Sequence, residues 1–169
     1  MKLVLSRQAH GARNAVAHQL DDGTSLHWEL LDEAQTGAML AAEVELDPDV
    51  EWLMRLDRVD FPPGGVAYRH THPGPGIRCL LFGSIRIESG GESHEYWPFE
   101  PWFESGPEPV FAQAAADRPS RFIRVMIIPR AFMGKSTLRL VNKEDEGKPR
   151  AQQYKVYFDA LLDLSAAKP

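Results

Sequence analysis

His70 and His72 stand one residue apart, between Gly64-Gly65 on one side and Pro73-Gly74-Pro75-Gly76 on the other. On a β-strand, residues i and i+2 face the same side with their Cα atoms about 7 Å apart, so both imidazoles reach a common point. Imidazole ligates transition metals and also exchanges protons near neutral pH. The pair therefore marks a site for a metal or a substrate. The remaining histidines, His10, His18, His27 and His94, lack this spacing, and His94 lies among Glu92, Ser93 and Glu95 as a surface residue would. Cys79, the only cysteine, sits in an apolar run and reads as a small buried hydrophobe rather than a reactive thiol. Met133-Gly134-Lys135-Ser136-Thr137 is not a phosphate-binding loop, because Pro129 stands where that loop needs its first glycine.

A strand that presents two rings needs neighbours, and the chain supplies them. Short apolar or alternating runs occur at Leu3 to Leu5, Ser25 to Leu31, Trp52 to Phe61, Gly76 to Phe82, Ser84 to Glu88, Val110 to Ala114 and Phe122 to Ile128. Between them lie turn clusters such as Asp21-Asp22-Gly23, Pro62-Pro63-Gly64-Gly65, Ser89-Gly90-Gly91 and Ser105-Gly106-Pro107. Ser84-Ile85-Arg86-Ile87-Glu88 alternates, which turns Ile85 and Ile87 inward and Ser84, Arg86 and Glu88 outward. The chain then returns through His94 to Trp97 as the second arm of a hairpin. Ala-rich Glu33 to Glu45 is the best helix candidate, although Val44-Glu45-Leu46 reads equally as a strand. Tyr154 to Leu164 reads as a strand or a short helix. The pattern predicts an all-β sandwich or barrel.

Composition limits the partners. The chain has 169 residues, 43% of them hydrophobic, enough for one domain with a substantial core. A net charge of -5 argues against nucleic acid, whose phosphates require clustered Lys and Arg. No stretch approaches the roughly 18 apolar residues of a membrane span, and no long apolar segment follows Lys2. One cysteine permits no internal disulfide, so a cytoplasmic location is the default expectation.

The region from about 52 to 130 resembles the cupin superfamily. The first cupin motif is glycine, five residues, His-x-His, three or four residues, Glu, six residues and Gly. Here Gly64 is followed by five residues, His70-Thr71-His72, three residues, Gly76 in place of the glutamate, six residues and Gly83. The second motif is similar to Glu100 through Gln113, with its histidine replaced by Pro109 or Val110 depending on register. The resemblance implies an all-β double-stranded β-helix, or jelly-roll barrel, with extra N- and C-terminal strands. It implies a single domain over residues 1–169: a core barrel at about 52–130, an N-terminal extension at 1–51 and a C-terminal extension at 131–169. A homodimer is expected, since cupins commonly pair through sheet edges.

Cupins with the full motif hold a divalent transition metal through three His and one Glu. This chain keeps His70 and His72, so Fe, Mn, Ni or Zn would need a further ligand, for which Glu104 or Glu108 is the candidate. The favoured reading is nonetheless that both are ordinary rim carboxylates. If position 76 faces the cavity as the family glutamate does, alternation turns Arg78, Leu80 and Phe82 inward and sets Tyr68 beside the histidines. With Trp102 and Glu104 these residues form the expected pocket for a small carboxylate or enol-type ligand. Tyr68 and Arg78 are the candidates for catalysis, although a salt bridge from Arg78 to Glu104 is an equal expectation. Gly76 either serves a turn through positive φ or enlarges the cavity. Two functions follow from the resemblance: a metal-dependent enzyme of oxygenase, isomerase or lyase type, or a metal-free ligand-binding or sensing module.

Overall fold

The computed structural model describes residues 1–165, and residues 166–169 at the end of the expected C-terminal extension lie outside the described residues. In chain order the strands are β1 (Lys2–Ser6), β2 (Ala15–Gln19), β3 (Ser25–Leu31), β4 (Leu40–Glu43), β5 (Trp52–Phe61), β6 (Val66–Thr71) and β7 (Gly76–Phe82). There follow β8 (Ile85–Ser89), β9 (Glu92–Tyr96), β10 (Pro101–Glu104), β11 (Val110–Ala114), β12 (Ser120–Pro129), β13 (Arg139–Leu140) and β14 (Gln153–Leu161). Among the described residues helical structure is confined to two 3-10 turns, Arg130–Phe132 and Lys143–Asp145.

All pairings are antiparallel, in three sheets ordered β2-β3-β1-β4, β10-β7-β12-β5-β14 and β13-β6-β11-β8-β9. Eight consecutive strands carry the barrel. Read as β5-β12-β7-β10 opposite β6-β11-β8-β9, they have the double Greek-key order of a jelly roll. The β8–β9 hairpin closes through Gly90 and Gly91 at φ 59° and 80°, the two positive values that a tight two-residue hairpin turn requires.

The β5-β7-β12 sheet is buried on both faces, which explains why β12 reads as a nearly unbroken apolar run. One face carries Met54, Leu56, Ile77, Cys79, Ile123, Val125 and Ile127, packed against Leu3, Leu5, Leu26 and Trp28 of the N-terminal sheet. The opposite face turns Val59, Leu80 and Phe122 into the barrel, against Ile85, Ile87, Val110 and Ala112. Cys79 lies in the first of these cores, where burial pushes its thiol up to about 12.

Two local expectations are corrected. No helix forms over Glu33 to Glu45; Leu40–Glu43 pairs with β1 instead, Ala41 opposite Val4 and Ala42 opposite Leu3. Cross-strand pairing overrides the weak helical preference of the alanines. Ser84 is buried rather than solvent-facing, because its N–H donates to Ser120 Oγ at 3.1 Å and its carbonyl accepts from the same hydroxyl at 2.8 Å. Among the described residues no helix is long and apolar enough to cross a membrane.

Candidate ligand site in the barrel

Two β-bulges decide which side chains enter the barrel. On β6, His70 pairs with Val110 and Ala67 with Ala112, so three steps along β6 span two along β11. Ala67 and His70 consequently both face inward, and Tyr68 falls on the bulge. Its phenol ring lies outside, 4.8 Å beneath the Lys148 ammonium. On β7, Leu80 pairs with Phe122 and Phe82 with Arg121, which leaves Leu81 as the extra residue. Phe82 therefore swings out to lie 5.0 Å from the Arg121 guanidinium. Tyr68 and Phe82, expected in the pocket, stand outside it.

His70 and His72 do converge. Their rings lie edge to face with centroids 4.9 Å apart, and both residues are almost wholly buried. The Tyr68 carbonyl, which can only accept, lies 2.7 Å from His70 Nδ1, so this nitrogen carries the hydrogen and Nε2 keeps its lone pair. His72 Nδ1 lies 3.0 Å from Thr137 Oγ1. Assigning that hydroxyl's own hydrogen to Met126 Sδ, 4.0 Å away, places the ring hydrogen of His72 on Nδ1 and leaves Nε2 as the unprotonated nitrogen. Burial holds both imidazoles below their usual pKa, His72 well below it, with the Arg124 and Arg78 charges adding to the effect. Both rings are neutral at pH 7.

Opposite them, β7 presents Arg78, which is fully buried. Its Nη1 donates to the Gly76 carbonyl at 2.9 Å, and its Nη2 lies 2.7 Å from Glu104 Oε2. Glu104 also accepts from Trp102 Nε1 at 2.9 Å. The Arg78–Glu104 contact is an ion pair without a linear hydrogen bond, so Arg78 Nε and Nη2 both lack a hydrogen-bond partner. Desolvation lowers the Arg78 pKa to about 10, against the opposing pull of Glu104, and the group stays charged at neutral pH.

Gly76 serves neither a positive φ nor a larger cavity. A Cβ there would meet Val125 O at 2.6 Å, Met126 Cγ at 2.8 Å and Arg78 Nη1 at 2.9 Å. The space beside it is already filled by Met126 and the Arg78 fork.

Cross-strand register sets Trp102, Arg78, Arg124 and Asp57 in one row over β10, β7, β12 and β5. Facing guanidiniums repel, and each is offset by its own carboxylate. Arg124 holds Asp57 through Nε at 2.6 Å and Nη2 at 3.0 Å. A third pair, Arg55–Asp159, ties β5 to β14, and Arg55 also donates to the Lys135 and Phe132 carbonyls at 2.6 and 2.9 Å. The segment carrying Thr137 is thereby latched across the barrel mouth.

These groups surround a cavity of about 770 Å³, open mouth included. Its wall includes His70, His72, Arg78 and Glu104 of the expected residues, together with Val110, which stands opposite His70 and so settles the register of the second motif. Leu80 and Trp102 lie behind this wall in the apolar core, where Trp102 stacks on Tyr96. Glu108 is exposed beside the β8–β9 turn. Sequence reasoning missed Arg55, Asp57, Arg124 and Thr137. The signal for the first three was present: alternation sets Arg55 and Asp57 on one face with Leu53, Val59 and Phe61, and Arg124 on one face with Phe122, Met126 and Ile128. Thr137 had none, because the turn at Met133 to Thr137 gives no hint of what it covers.

The donor set fits a resident divalent metal poorly. Two Nε2 lone pairs are available, but Glu104 is committed to Arg78 and Trp102, and the Arg78 and Arg124 charges would repel a cation at His72. Among the described residues no group of three His, Cys, Asp or Glu side chains is placed to hold a metal ion.

Eight strands in jelly-roll order, with His70 of β6 and His72 just past its end turned into the barrel, define the class: the protein has the jelly-roll barrel fold that cupins share. No family model and no curated protein matches the sequence. Among solved structures, a cupin-like protein from Thermotoga maritima is 21% identical, over 56% of this chain and 75% of that one, with a TM-score of 0.44. The polyketide cyclase RemF from Streptomyces resistomycificus is 20% identical, over 57% of this chain, with a TM-score of 0.43. The matched part spans 64% of RemF, less than two thirds of its length. A cupin protein from Bacteroides fragilis is 18% identical, over 60% of this chain and 96% of that one, with a TM-score of 0.41. At such values the strand order, not these likenesses, carries the fold.

Proposed function

We propose that the barrel binds a small organic anion, a carboxylate or enol-type molecule, with Arg78 as its charge partner and without a resident metal. One observation carries this reading. Arg78 and His72 line the cavity, and Arg78 Nε and His72 Nε2 are buried with no hydrogen-bond partner, while Arg78 Nη2 meets only Glu104, off the hydrogen-bond line at 2.7 Å. Leaving such groups unpaired costs about 1–3 kcal/mol each, more for a charged one, and an anionic ligand would recover that cost. Arg150, exposed at the mouth, adds a positive charge on the way in. The apolar wall formed by Val59, Val110 and Phe122 suits the ligand's body.

The test is calorimetric titration with benzoate, phenylacetate and hexanoate, alongside metal analysis of the purified protein. Binding with a Kd of about 1 mM or tighter is expected, weakened at least roughly tenfold in the Arg78→Met/Glu104→Gln double variant, which removes the cation without stranding its carboxylate. Stoichiometric Fe, Mn, Ni or Zn that disappears in His70→Ala/His72→Ala would overturn the metal-free reading. Failure of all three carboxylates to bind would overturn the anion reading.

A further inference from the structure

The unpartnered atoms on the cavity wall are of opposite kinds. Arg78 Nε is a donor without an acceptor and Nη2 meets only Glu104, off the hydrogen-bond line at 2.7 Å, whereas Gln152 Oε1 is an unpartnered acceptor, and so is His72 Nε2 with the ring hydrogen assigned to Nδ1, facing Thr137 Oγ1. A plain carboxylate is acceptor-only and can satisfy the first group but not the second. Arg78 and His72 line the same cavity, so one small molecule can reach both. His70 offers a second ring nitrogen of the same kind, 4.9 Å away between ring centroids.

We infer that the ligand carries a hydroxyl beside its anionic group, as a hydroxy acid or an enol acid does, and that His72, set by Thr137, accepts the hydrogen of that hydroxyl. This rests on the anion-binding reading above and narrows it. Thr137 is a positioning residue: it acts through His72, fixing which ring nitrogen of that side chain meets the ligand. A site built to accept a hydrogen bond discriminates against an analogue lacking the donor, because its buried acceptor is then left unpaired. A keto analogue, itself an acceptor, fares no better, since its oxygen would face the His72 lone pair.

The experiment compares mandelate, phenylacetate and phenylglyoxylate, which differ only at the carbon next to the carboxylate, and repeats the series with 2-hydroxyhexanoate, hexanoate and 2-oxohexanoate. The hydroxy acid is expected to bind about tenfold or more tightly than both partners in at least one series. In His72→Leu this preference should fall to about one while carboxylate binding persists. Nitrogen-15 NMR of the wild-type histidines adds a readout independent of any variant's folding: His72 should be the Nδ1–H tautomer, and Thr137→Val should add Nε2–H signal. Carboxylates that bind within twofold of one another overturn the hydroxyl inference and leave the anion reading standing. Preference for the keto acid, or an Nε2–H tautomer in the wild type, overturns it as well. If none of the six binds, the anion reading itself falls, and this inference with it.

Discussion

Burial rather than any single partner sets the chemistry of the central residues. His70 and His72 are both held below the usual imidazole value by loss of hydration, so in the barrel they stay neutral where an unfolded chain would take up protons. The unfolded state therefore binds more protons just below pH 6.5. Stability is full above that value and falls as the pH drops through it toward the folded values, by up to about 1.4 kcal/mol per pH unit for each ring. Denaturant melts at pH 7.5 and 5.5 should show the wild type losing roughly 1–3 kcal/mol more than a His70→Gln/His72→Gln variant. Equal losses in the two proteins would mean that the rings are hydrated. Arg78 is the complementary case: it keeps its charge in a dry site, with Glu104 at 2.7 Å and the Gly76 carbonyl at 2.9 Å offsetting part of the lost hydration.

At the scale of the strand, pairing geometry overruled simple alternation. Period-2 reading places Tyr68 with His70 and Phe82 with Arg78, and holds wherever the ladder is regular, as it is from Gly76 through Leu80. It fails where one strand carries an extra residue, and nothing in Tyr68-Arg69 or Leu81 announces a bulge. Gly76 is likewise explained by its strand neighbours. The Val125 carbonyl and Met126 of β12 approach so closely that no Cβ fits without movement of backbone. Gly76→Ala should therefore cost about 1–3 kcal/mol in chemical denaturation, by overpacking. A change under about 0.5 kcal/mol would show that β7 and β12 are less tightly apposed.

For the molecule as a whole, the N-terminal strands form a third layer rather than an appendage. Sheet β2-β3-β1-β4 covers the outer face of the central sheet, with Trp28 fully buried and its Nε1 donating to the Ile77 carbonyl at 3.1 Å. Because Ile77 immediately precedes Arg78, this layer supports the strand that carries the candidate anion partner. Trp28→Ala should cost about 3–5 kcal/mol in urea unfolding, and Trp28→Phe distinctly less. A marginal effect of Trp28→Ala would mean that the barrel stands without its third layer.

Residues 64–83 and the repeated short runs determined the barrel by themselves, because turn chemistry and hydrophobic alternation are local properties that survive in a single sequence. They also predicted that His70 and His72 face one way, which holds although His72 lies one residue past the end of β6. The pairing of Arg78 with Glu104 stood in the sequence only as one of two equal readings. Tertiary structure decided between them, and it also brought in Arg124, Asp57 and Thr137 from strands and turns far along the chain. It chose Val110 as the residue opposite His70, and it moved Tyr68 and Phe82 out of the cavity. The reason is physical: which groups share a buried space depends on register, bulges and the path of the covering segment. Those depend in turn on pairings between residues tens of positions apart, which local pattern does not encode.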